Sequence, residues 1–315
     1  MSETQMTLFD LPESQASNFT EWSYSRRNLL DQCPRKYYYE HYGSNLQTAK
    51  NDPQKGKLRF LGVLQNRYLR TGKILHFVVK TYLNKIRQGE QWSPDRLLNW
   101  ARKVYHTDME YSRNYEHGTP LPDEQYPPVL LLEFYYGWSD AESVCIEAEK
   151  RLIEALANFV KSQNLAQFRE GASKPSALIE KTIYFKTVHF TLRGAVDLAY
   201  CEDDKLVIID WKIGSASSSD DSLQMLAYAL WAKQKFECPL DSIILHKAHL
   251  GDDTVSTFNV SEKALTRVEA RILQDLERMQ EADSYGRRAL VEAFTPCAQP
   301  KVCQMCQFQE ICPKE

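Results

Sequence analysis

Two aspartates and a lysine stand where two neighbouring strands of this chain are expected to meet. Asp197 ends the segment GAVD, and Asp210 and Lys212 follow the apolar run 206–209. A hairpin turning near residue 203 would set the strands side by side, and strand alternation puts Lys212 on the face of Asp210. Converging carboxylates repel unless a hard cation such as Mg²⁺ or Mn²⁺ neutralises them. With an ammonium group nearby, such a site could support metal-assisted attack of water on a phosphodiester.

A lone Asp-x-Lys pattern is common, and by itself it is better explained by surface charges near the end of a hairpin. Two other patterns change this interpretation. His76 follows Gly72 by four residues on a predicted helix. Gln224 and Tyr228 have the same spacing on another helix, which puts them on one face. A packed histidine and a core tyrosine are the simpler alternatives for His76 and Tyr228, but the combination of all these residues favours one site.

The cysteines near the end of the sequence suggest a metal centre. Cys303, Cys306 and Cys312 have the spacing C-x₂-C-x₅-C, which offers three thiolates where a tetrahedral site needs four. The fourth could be the nearby Cys297 or the distant Cys33. Spacing alone does not choose between these two residues, or between zinc and iron–sulfur, and reduced surface thiols are the simplest alternative. Three isolated cysteines are expected to be small buried residues: Cys145, Cys201 and Cys238.

The order of the motifs GxxxH, GxxD, DxK and QxxxY resembles the RecB-like branch of the PD-(D/E)XK nuclease superfamily. The resemblance covers residues 176–231 closely and 23–72 loosely, including the segment CPRKYYY at 33–39. It implies an α/β fold with a restriction-endonuclease-like mixed sheet flanked by helices, acting on DNA with Mg²⁺ or Mn²⁺. Carried over by motif, it implies the metal ligands His76, Asp197 and Asp210, the catalytic lysine Lys212, the DNA-binding or supporting residues Gln224 and Tyr228, and a possible helper, Glu180.

The same resemblance predicts which metal centre the cysteines bind. Iron–sulfur members of this branch, such as the CRISPR-associated exonucleases and the AddB-type subunits, pair one N-terminal cysteine with a C-terminal C-x₂-C-x₅-C. Matching this pattern implies a [4Fe–4S] cluster that holds the two ends of the chain together, with zinc as the alternative. The implied ligands are Cys33, Cys303, Cys306 and Cys312.

A short motif near the N-terminus suggests a protein partner. Gln5, Leu8 and Phe9 resemble the peptide by which bacterial proteins bind the replicative sliding clamp. Short patterns recur by chance, and the alternative is a tail that packs on its own domain.

The elements that must position these residues change in character along the chain. Residues 1–20 have the composition of a flexible tail, and 21–315 are predicted to form a single nuclease domain. Within it, 85–175 are expected to be a helical insertion, 176–250 the catalytic sheet core of about four strands, and 297–315 the cluster-binding segment. Helices are predicted over 141–159, 221–233 and 261–282, and Ser25 is the predicted cap of a short helix before Pro34.

Composition limits the classes of function. The 39 basic and 42 acidic residues give a net charge of −3, so contact with phosphates must use a local surface. The segment 55–73, with Arg35 and Lys36, could line a DNA groove, whereas Tyr37, Tyr38 and Tyr39 are expected in the core. The apolar runs are too short to span a bilayer and the N-terminus has no signal-peptide layout, which predicts a cytoplasmic protein.

Three hypotheses follow from the sequence. The first is a metal-dependent deoxyribonuclease, an exonuclease on single-stranded or end-exposed DNA, in DNA repair or nucleic-acid defence. The second is a catalytically silent DNA-binding or assembly module tethered to the sliding clamp. The third is a zinc-stapled adaptor for that clamp. The sequence gives no indication of oligomeric state.

Overall fold

The computed structural model describes residues 21–43, 53–90, 92–123, 125–214 and 222–313. The clamp-like motif of Gln5, Leu8 and Phe9 lies outside the described residues. Within the described ranges, no helix combines the length and the apolar character that crossing a membrane requires.

A six-stranded mixed sheet forms the centre of the fold. Its strands are β1 (Glu21–Trp22), β2 (Leu178–Lys186), β3 (Thr191–Glu202), β4 (Lys205–Lys212), β5 (Ile243–His249) and β6 (Thr254–Phe258). Their order is β1-β3-β4-β5-β6, and β2 also pairs with β3. The β1–β3 and β4–β5 pairs are parallel and the others are antiparallel. The predicted α/β mixed sheet is confirmed, but it has more strands than the sequence indicates, because β1 has two residues and β6 is largely polar.

The hairpin between β3 and β4 turns where the sequence predicts. Asp203 and Asp204 have φ angles of 46° and 61°, as the two-residue turn between antiparallel strands requires. The pairs Leu198–Ile209 and Ala199–Ile208 set the register of these two strands. This register also fixes the positions of Asp197, which precedes Leu198, and of Asp210, which follows Ile209.

Helices cover both faces of the sheet. They are α1 (Tyr24–Gln32), α2 (Pro34–Tyr38), α3 (Pro53–Val63), α4 (Arg67–Arg87), α5 (Pro94–Arg113), α6 (Leu132–Tyr135), α7 (Ala141–Lys161), α8 (Ala166–Gly171), α9 (Ser222–Phe236), α10 (Glu262–Arg287) and α11 (Pro300–Gln304). Leu198 and Ile209 join the core under α4, α5 and α7, whereas Ala199 and Ile208 join the core under α9 and α10. This alternation is the two-residue period of a sheet buried on both faces.

The segment 85–175 contains α5 to α8, as expected of a helical region. Helices α4 and α5 both pack against α7, and all three contribute to the core on one face of the sheet. The division into a nuclease core and an insertion stays a prediction.

The first described residues are held by the last long helix. Trp22 Nε1 donates to Asp275 Oδ2 at 3.2 Å, and Arg26 Nη2 lies 2.6 Å from Asp283 Oδ1. Tyr39 donates its hydroxyl to the carbonyl of Ile311 at 3.2 Å. Tyr37, Tyr38 and Tyr39 are all buried, which confirms their predicted place in the core.

The predicted cap of α1 was wrong by two residues. Ser23 has extended backbone and its hydroxyl accepts from Arg26 N at 3.2 Å, so it caps the helix, and Ser25 lies inside the first turn. The extended conformation of Ser23 follows from its place directly after β1, which the sequence did not indicate.

Candidate active site

The two aspartates are placed together by the β3–β4 register. Because Leu198 pairs with Ile209, Asp197 and Asp210 lie opposite each other at the next position along the two strands. Both side chains are almost completely buried, with 5% and 1% of the residue exposed. The backbone N–H of Trp211 donates to Asp197 Oδ2 at 2.7 Å, which fixes the orientation of that carboxylate.

His76 and Glu180 complete one side of the site. His76 lies in α4, with Nδ1 2.8 Å from Glu180 Oε1 and 3.4 Å from Asp197 Oδ1. Glu180 lies in β2 between Ile179 and Lys181, which pair with the two neighbours of Asp197. Its φ of 47° is unusual for a residue other than glycine within a strand. Such local strain is often found at functional sites, and here it coincides with a carboxylate that faces the histidine.

These three side chains form a candidate metal site. One ligand atom each from His76, Glu180 and Asp197 lie within 4.8 Å of one another. An imidazole and two carboxylates are donors that fit Mn²⁺, and the two carboxylates also suit Mg²⁺. The sequence predicted His76, Asp197 and Asp210 as ligands. The structure brings Glu180, the predicted possible helper, into the close set with His76 and Asp197. The role of Asp210 as a ligand stays a prediction.

Asp210 is held by two partners. Lys212 Nζ lies 2.7 Å from Asp210 Oδ2, and Gln224 donates from Nε2 to Asp210 Oδ1 at 3.1 Å. Lys212 keeps 38% of its side chain exposed, whereas Asp210 keeps 2%. The lysine can therefore move towards a ligand in solvent while the aspartate stays fixed.

The charges of the site perturb its titration. Burial disfavours the charged imidazole, but Asp197 and Glu180 outweigh it and raise the pKa of His76 to about 11. Burial raises the pKa of Glu180 to about 7, against the opposing effect of His76. Burial acts in the same direction on Asp197, but His76 and Lys212 prevail and lower its pKa. The pKa of Asp210 is raised by burial and by Asp197, with Lys212 opposing. Without a metal, a protonated His76 therefore supplies the cation that the carboxylates need.

Gln224 and Tyr228 lie on one face of α9, as their spacing predicts. Gln224 Nε2 is 2.9 Å from the Tyr228 hydroxyl, and that hydroxyl donates to the carbonyl of Ala195 at 2.6 Å. Tyr228 is 5% exposed. The chain Ala195–Tyr228–Gln224–Asp210 connects β3 to β4 through α9, so these contacts favour a supporting role over contact with a nucleic acid.

Two residues of β5 extend this face of the sheet and were missed by the sequence analysis. The parallel register pairs Asp210 with Lys247 and Lys212 with His249. Lys247 is 1% exposed, and its charge partly offsets the rise that burial causes in the pKa of Asp210. The two-residue spacing of Lys247 and His249 places both side chains on one face of a strand. This spacing indicates a place in the site only once β5 is known to lie beside β4.

The cysteines predicted to bind a cluster divide into two groups. Cys33 is buried at the start of α2, where its sulfur accepts from Lys36 N. Burial raises the pKa of the Cys306 thiol to about 11, and the thiols of Cys33 and Cys312 lie close enough to add to this effect. Cys303 is exposed, and its sulfur lies 3.8 Å from that of Cys297. Among the described residues, no three thiols come within 4.8 Å of one another.

Comparison with known proteins identifies the family. The model of the PD-(D/E)XK nuclease superfamily matches residues 21–313. This match spans most of the chain, so the chain belongs to the PD-(D/E)XK nuclease superfamily. Nucleases of this superfamily use divalent metals such as Mg²⁺ or Mn²⁺, and the family implies DNA as substrate. No curated protein matches the sequence.

Three solved structures are similar to this chain at low sequence identity. A protein from Eubacterium rectale named "Putative exonuclease" is 10% identical, with a TM-score of 0.41, over 95% of this chain and 96% of that one. The protein SSO0001 is 17% identical, with a TM-score of 0.27, over 53% and 79%. Protein VC1899 from Vibrio cholerae is 14% identical, with a TM-score of 0.23, over 83% and 56%. Similarities at this level carry no argument about activity, so the family assignment rests on the family model.

Proposed function

We propose that this protein is a Mg²⁺- or Mn²⁺-dependent deoxyribonuclease whose active site is built on β2, β3, β4 and α4. The observation that carries this proposal is the close set of His76, Glu180 and Asp197 beside the pair of Asp210 and Lys212. The three carboxylates outnumber the imidazole and the ammonium group beside them, so the set favours a divalent cation over direct contact with a phosphate. A protein that only binds DNA gains nothing from this arrangement.

Each side chain has a separate role in the proposed hydrolysis. A divalent metal at this site would polarise the scissile phosphate and lower the pKa of a water molecule. Asp197 is oriented by the Trp211 N–H, and Asp210 by Gln224, so both carboxylates are ready to bind without moving. Lys212, whose side chain is 38% exposed, would place its ammonium beside the attacking water or the charged phosphate.

We propose further that the substrate is single-stranded or end-exposed DNA and that cleavage is exonucleolytic, in repair or nucleic-acid defence. This part rests on the resemblance to RecB-like nucleases. Support comes from α4, where Lys73 and Lys80 lie three residues before and four residues after His76, on the same helix face. These two lysines flank the site and form a local positive surface. A phosphate backbone can bind there although the chain as a whole has a net negative charge.

The [4Fe–4S] cluster is the second part of the proposal. The charges of Cys33 and Cys312 both act on the Cys306 thiol, and thiols are the donors that iron–sulfur and zinc sites share. Cys303 would have to turn away from Cys297 to complete the set. Metal analysis of anaerobically purified protein distinguishes the two centres: four irons with labile sulfide support the cluster, and one zinc supports the alternative.

The test of catalysis is digestion of end-labelled single- and double-stranded DNA with Mg²⁺ or Mn²⁺. We expect Asp210→Ala and Lys212→Met to lower the cleavage rate by about a hundredfold or more, because each removes a group that acts on the reacting phosphate. Lys205→Met is the matched control, since Lys205 begins the same strand and is exposed.

The product ladder of the wild-type protein gives polarity and distinguishes removal of terminal nucleotides from internal cuts. Equal inactivity of the wild type and both variants, with the metal centre intact, would favour the silent DNA-binding module. Equal activity of all the proteins would remove Asp210 and Lys212 from the mechanism. Binding to the sliding clamp stays a separate prediction, tested by titrating the clamp with a peptide of residues 1–14.

A further inference from the structure

Cys297 and Cys303 form a close pair of thiols beside the proposed cluster site. Their sulfurs are 3.8 Å apart, and the Cys303 thiol donates to the carbonyl of Cys297 at 3.3 Å. The Cys303 N–H is held by the carbonyl of Gln299 at 3.0 Å, at the start of α11. The Cys303 side chain thus contacts both the sulfur and the backbone carbonyl of Cys297.

The pair is accessible and close enough to form a bond. Cys303 is exposed and Cys297 is half-buried, whereas Cys33 is buried. A disulfide has a sulfur–sulfur distance of about 2.05 Å, so the two sulfurs must approach by less than about 2 Å. Rotation of side chains on the surface can supply a movement of this size.

The number of nearby thiols also matters. A cuboidal cluster takes four cysteine ligands, and five cysteines lie in this region: Cys33, Cys297, Cys303, Cys306 and Cys312. Cys297 is the residue left over from the ligand set implied by the resemblance. Its sulfur lies 3.8 Å from that of Cys303, and it is also near enough to Cys312 to raise the pKa of that thiol.

We propose that Cys297 and Cys303 are an oxidisable dithiol, a modification site at which a disulfide withdraws Cys303 from cluster binding. The withdrawal rests on the cluster part of the proposed function, whereas formation of the disulfide does not. With the cluster bound, Cys303 is occupied and the dithiol is protected. Without the cluster, the two thiols react with each other.

The oxidant is a small disulfide such as oxidised glutathione. The Cys303 thiolate attacks one sulfur of the oxidant, breaking its sulfur–sulfur bond and releasing one glutathione thiolate. The Cys297 thiolate then attacks the Cys303 sulfur of the mixed disulfide and releases the second glutathione. Two protein thiols lose two electrons and two protons, and the oxidant becomes two thiols.

The first experiment maps the disulfide in the full-length, cluster-free protein. The reduced protein is incubated with oxidised glutathione, its remaining thiols are alkylated in denaturant, and its peptides are identified by mass spectrometry. We expect the Cys297–Cys303 disulfide as the main product, with none in Cys297→Ser. Cys201→Ser is the matched control, because Cys201, which the sequence wrongly predicted to be buried, is exposed and its loss should leave the product unchanged. Alkylation of both Cys297 and Cys303, or linkage of Cys303 to another cysteine, would overturn the proposal.

The second experiment repeats the incubation anaerobically with cluster-loaded protein and follows the visible absorbance of the cluster. We expect the rate of Cys297–Cys303 disulfide formation to fall at least tenfold while the cluster persists. An unchanged rate with the cluster intact would show that Cys303 is not a ligand and would remove the withdrawal from the proposal. If iron and sulfide are never incorporated, the cluster part of the proposed function fails, and the first experiment alone decides the dithiol.

Discussion

At the scale of single residues, the active site depends on charges that balance only when all of them are present. His76 contacts two carboxylates, Lys212 contacts a third, and each group changes the titration of its neighbours. A metal ion would replace the proton of His76 as the cation of this set, because a histidine ligand must be neutral. Removing one member should therefore alter both metal binding and the stability of the metal-free protein.

The charge of Glu180 should contribute directly to metal affinity. Glu180→Gln keeps the size of the side chain but removes one of the two carboxylates in the close set. We expect the dissociation constant for Mn²⁺, measured by isothermal titration calorimetry, to rise by about tenfold or more. Glu202→Gln is the control, since Glu202 is exposed at the far end of β3. Equal affinity of Glu180→Gln and the wild type would place the metal elsewhere.

Protonation of His76 should stabilise the metal-free fold. Its pKa is about 11 in the folded protein, against 6.5 for an ordinary histidine. Because the folded pKa is raised, the stabilisation is fully present below pH 6.5 and is lost as the pH rises towards 11. A third of the side chain is exposed, so we expect a contribution on the order of 1–2 kcal/mol.

The measurement for His76 is urea unfolding of metal-free wild type and His76→Gln across this pH window. The difference in the free energy of unfolding should shrink as the pH rises. A difference that stays constant would mean that the charge of His76 does not stabilise the fold.

At the scale of elements, the sequence predicts those parts of the site that depend on local patterns. The β3–β4 hairpin follows from two apolar runs and a polar turn, and Gln224 and Tyr228 share a helix face because of their spacing. Glu180 was predicted only as a possible helper, from the resemblance, because its place beside His76 depends on a left-handed φ within a strand that no local pattern indicates. Lys247 was missed because parallel pairing joins strands that are not consecutive in the chain.

The contact between α8 and β3 gives a test at this scale. A Cβ atom on Gly171, at the end of α8, would fall within 2.7 Å of three carbons of the buried Tyr200 ring. We expect Gly171→Ala to lower the free energy of unfolding by about 1–3 kcal/mol, measured by chemical denaturation. Gly62→Ala is the control, because nothing lies within 4 Å of a Cβ there, and in helix α3 it should be neutral or stabilising. A neutral Gly171→Ala would contradict this packing.

At the scale of the whole molecule, the two ends of the described chain hold the same face of the sheet. Trp22 and Arg27 both contact Asp275 of α10, and Arg271 adds a third contact to that carboxylate. The C-terminal segment also reaches α4, where Asn66 donates from Nδ2 to the carbonyl of Met305 at 3.2 Å. The cysteine segment thus contacts the start of the helix that carries His76.

Loss of Asp275 should destabilise the entire fold. It is 2% exposed, and its removal would leave Arg27 and Trp22 without this buried acceptor. We expect Asp275→Ala to lower the free energy of unfolding by about 3 kcal/mol, with one cooperative transition in thermal unfolding. Asp241→Ala, at an exposed turn, should leave the transition unchanged. A separate early transition in Asp275→Ala would mean that the two ends unfold independently of the core.

The contact between Trp22 and Asp275 also has a consequence for synthesis on the ribosome. The two residues are 253 positions apart, so β1 cannot complete its packing until α10 has been translated. At roughly 5–20 residues per second, this delay is on the order of 10–50 seconds. During that time Trp22 and the tyrosines of α2 lack their final partners and are exposed as apolar surface on the nascent chain. This segment is therefore where we expect a chaperone to bind first.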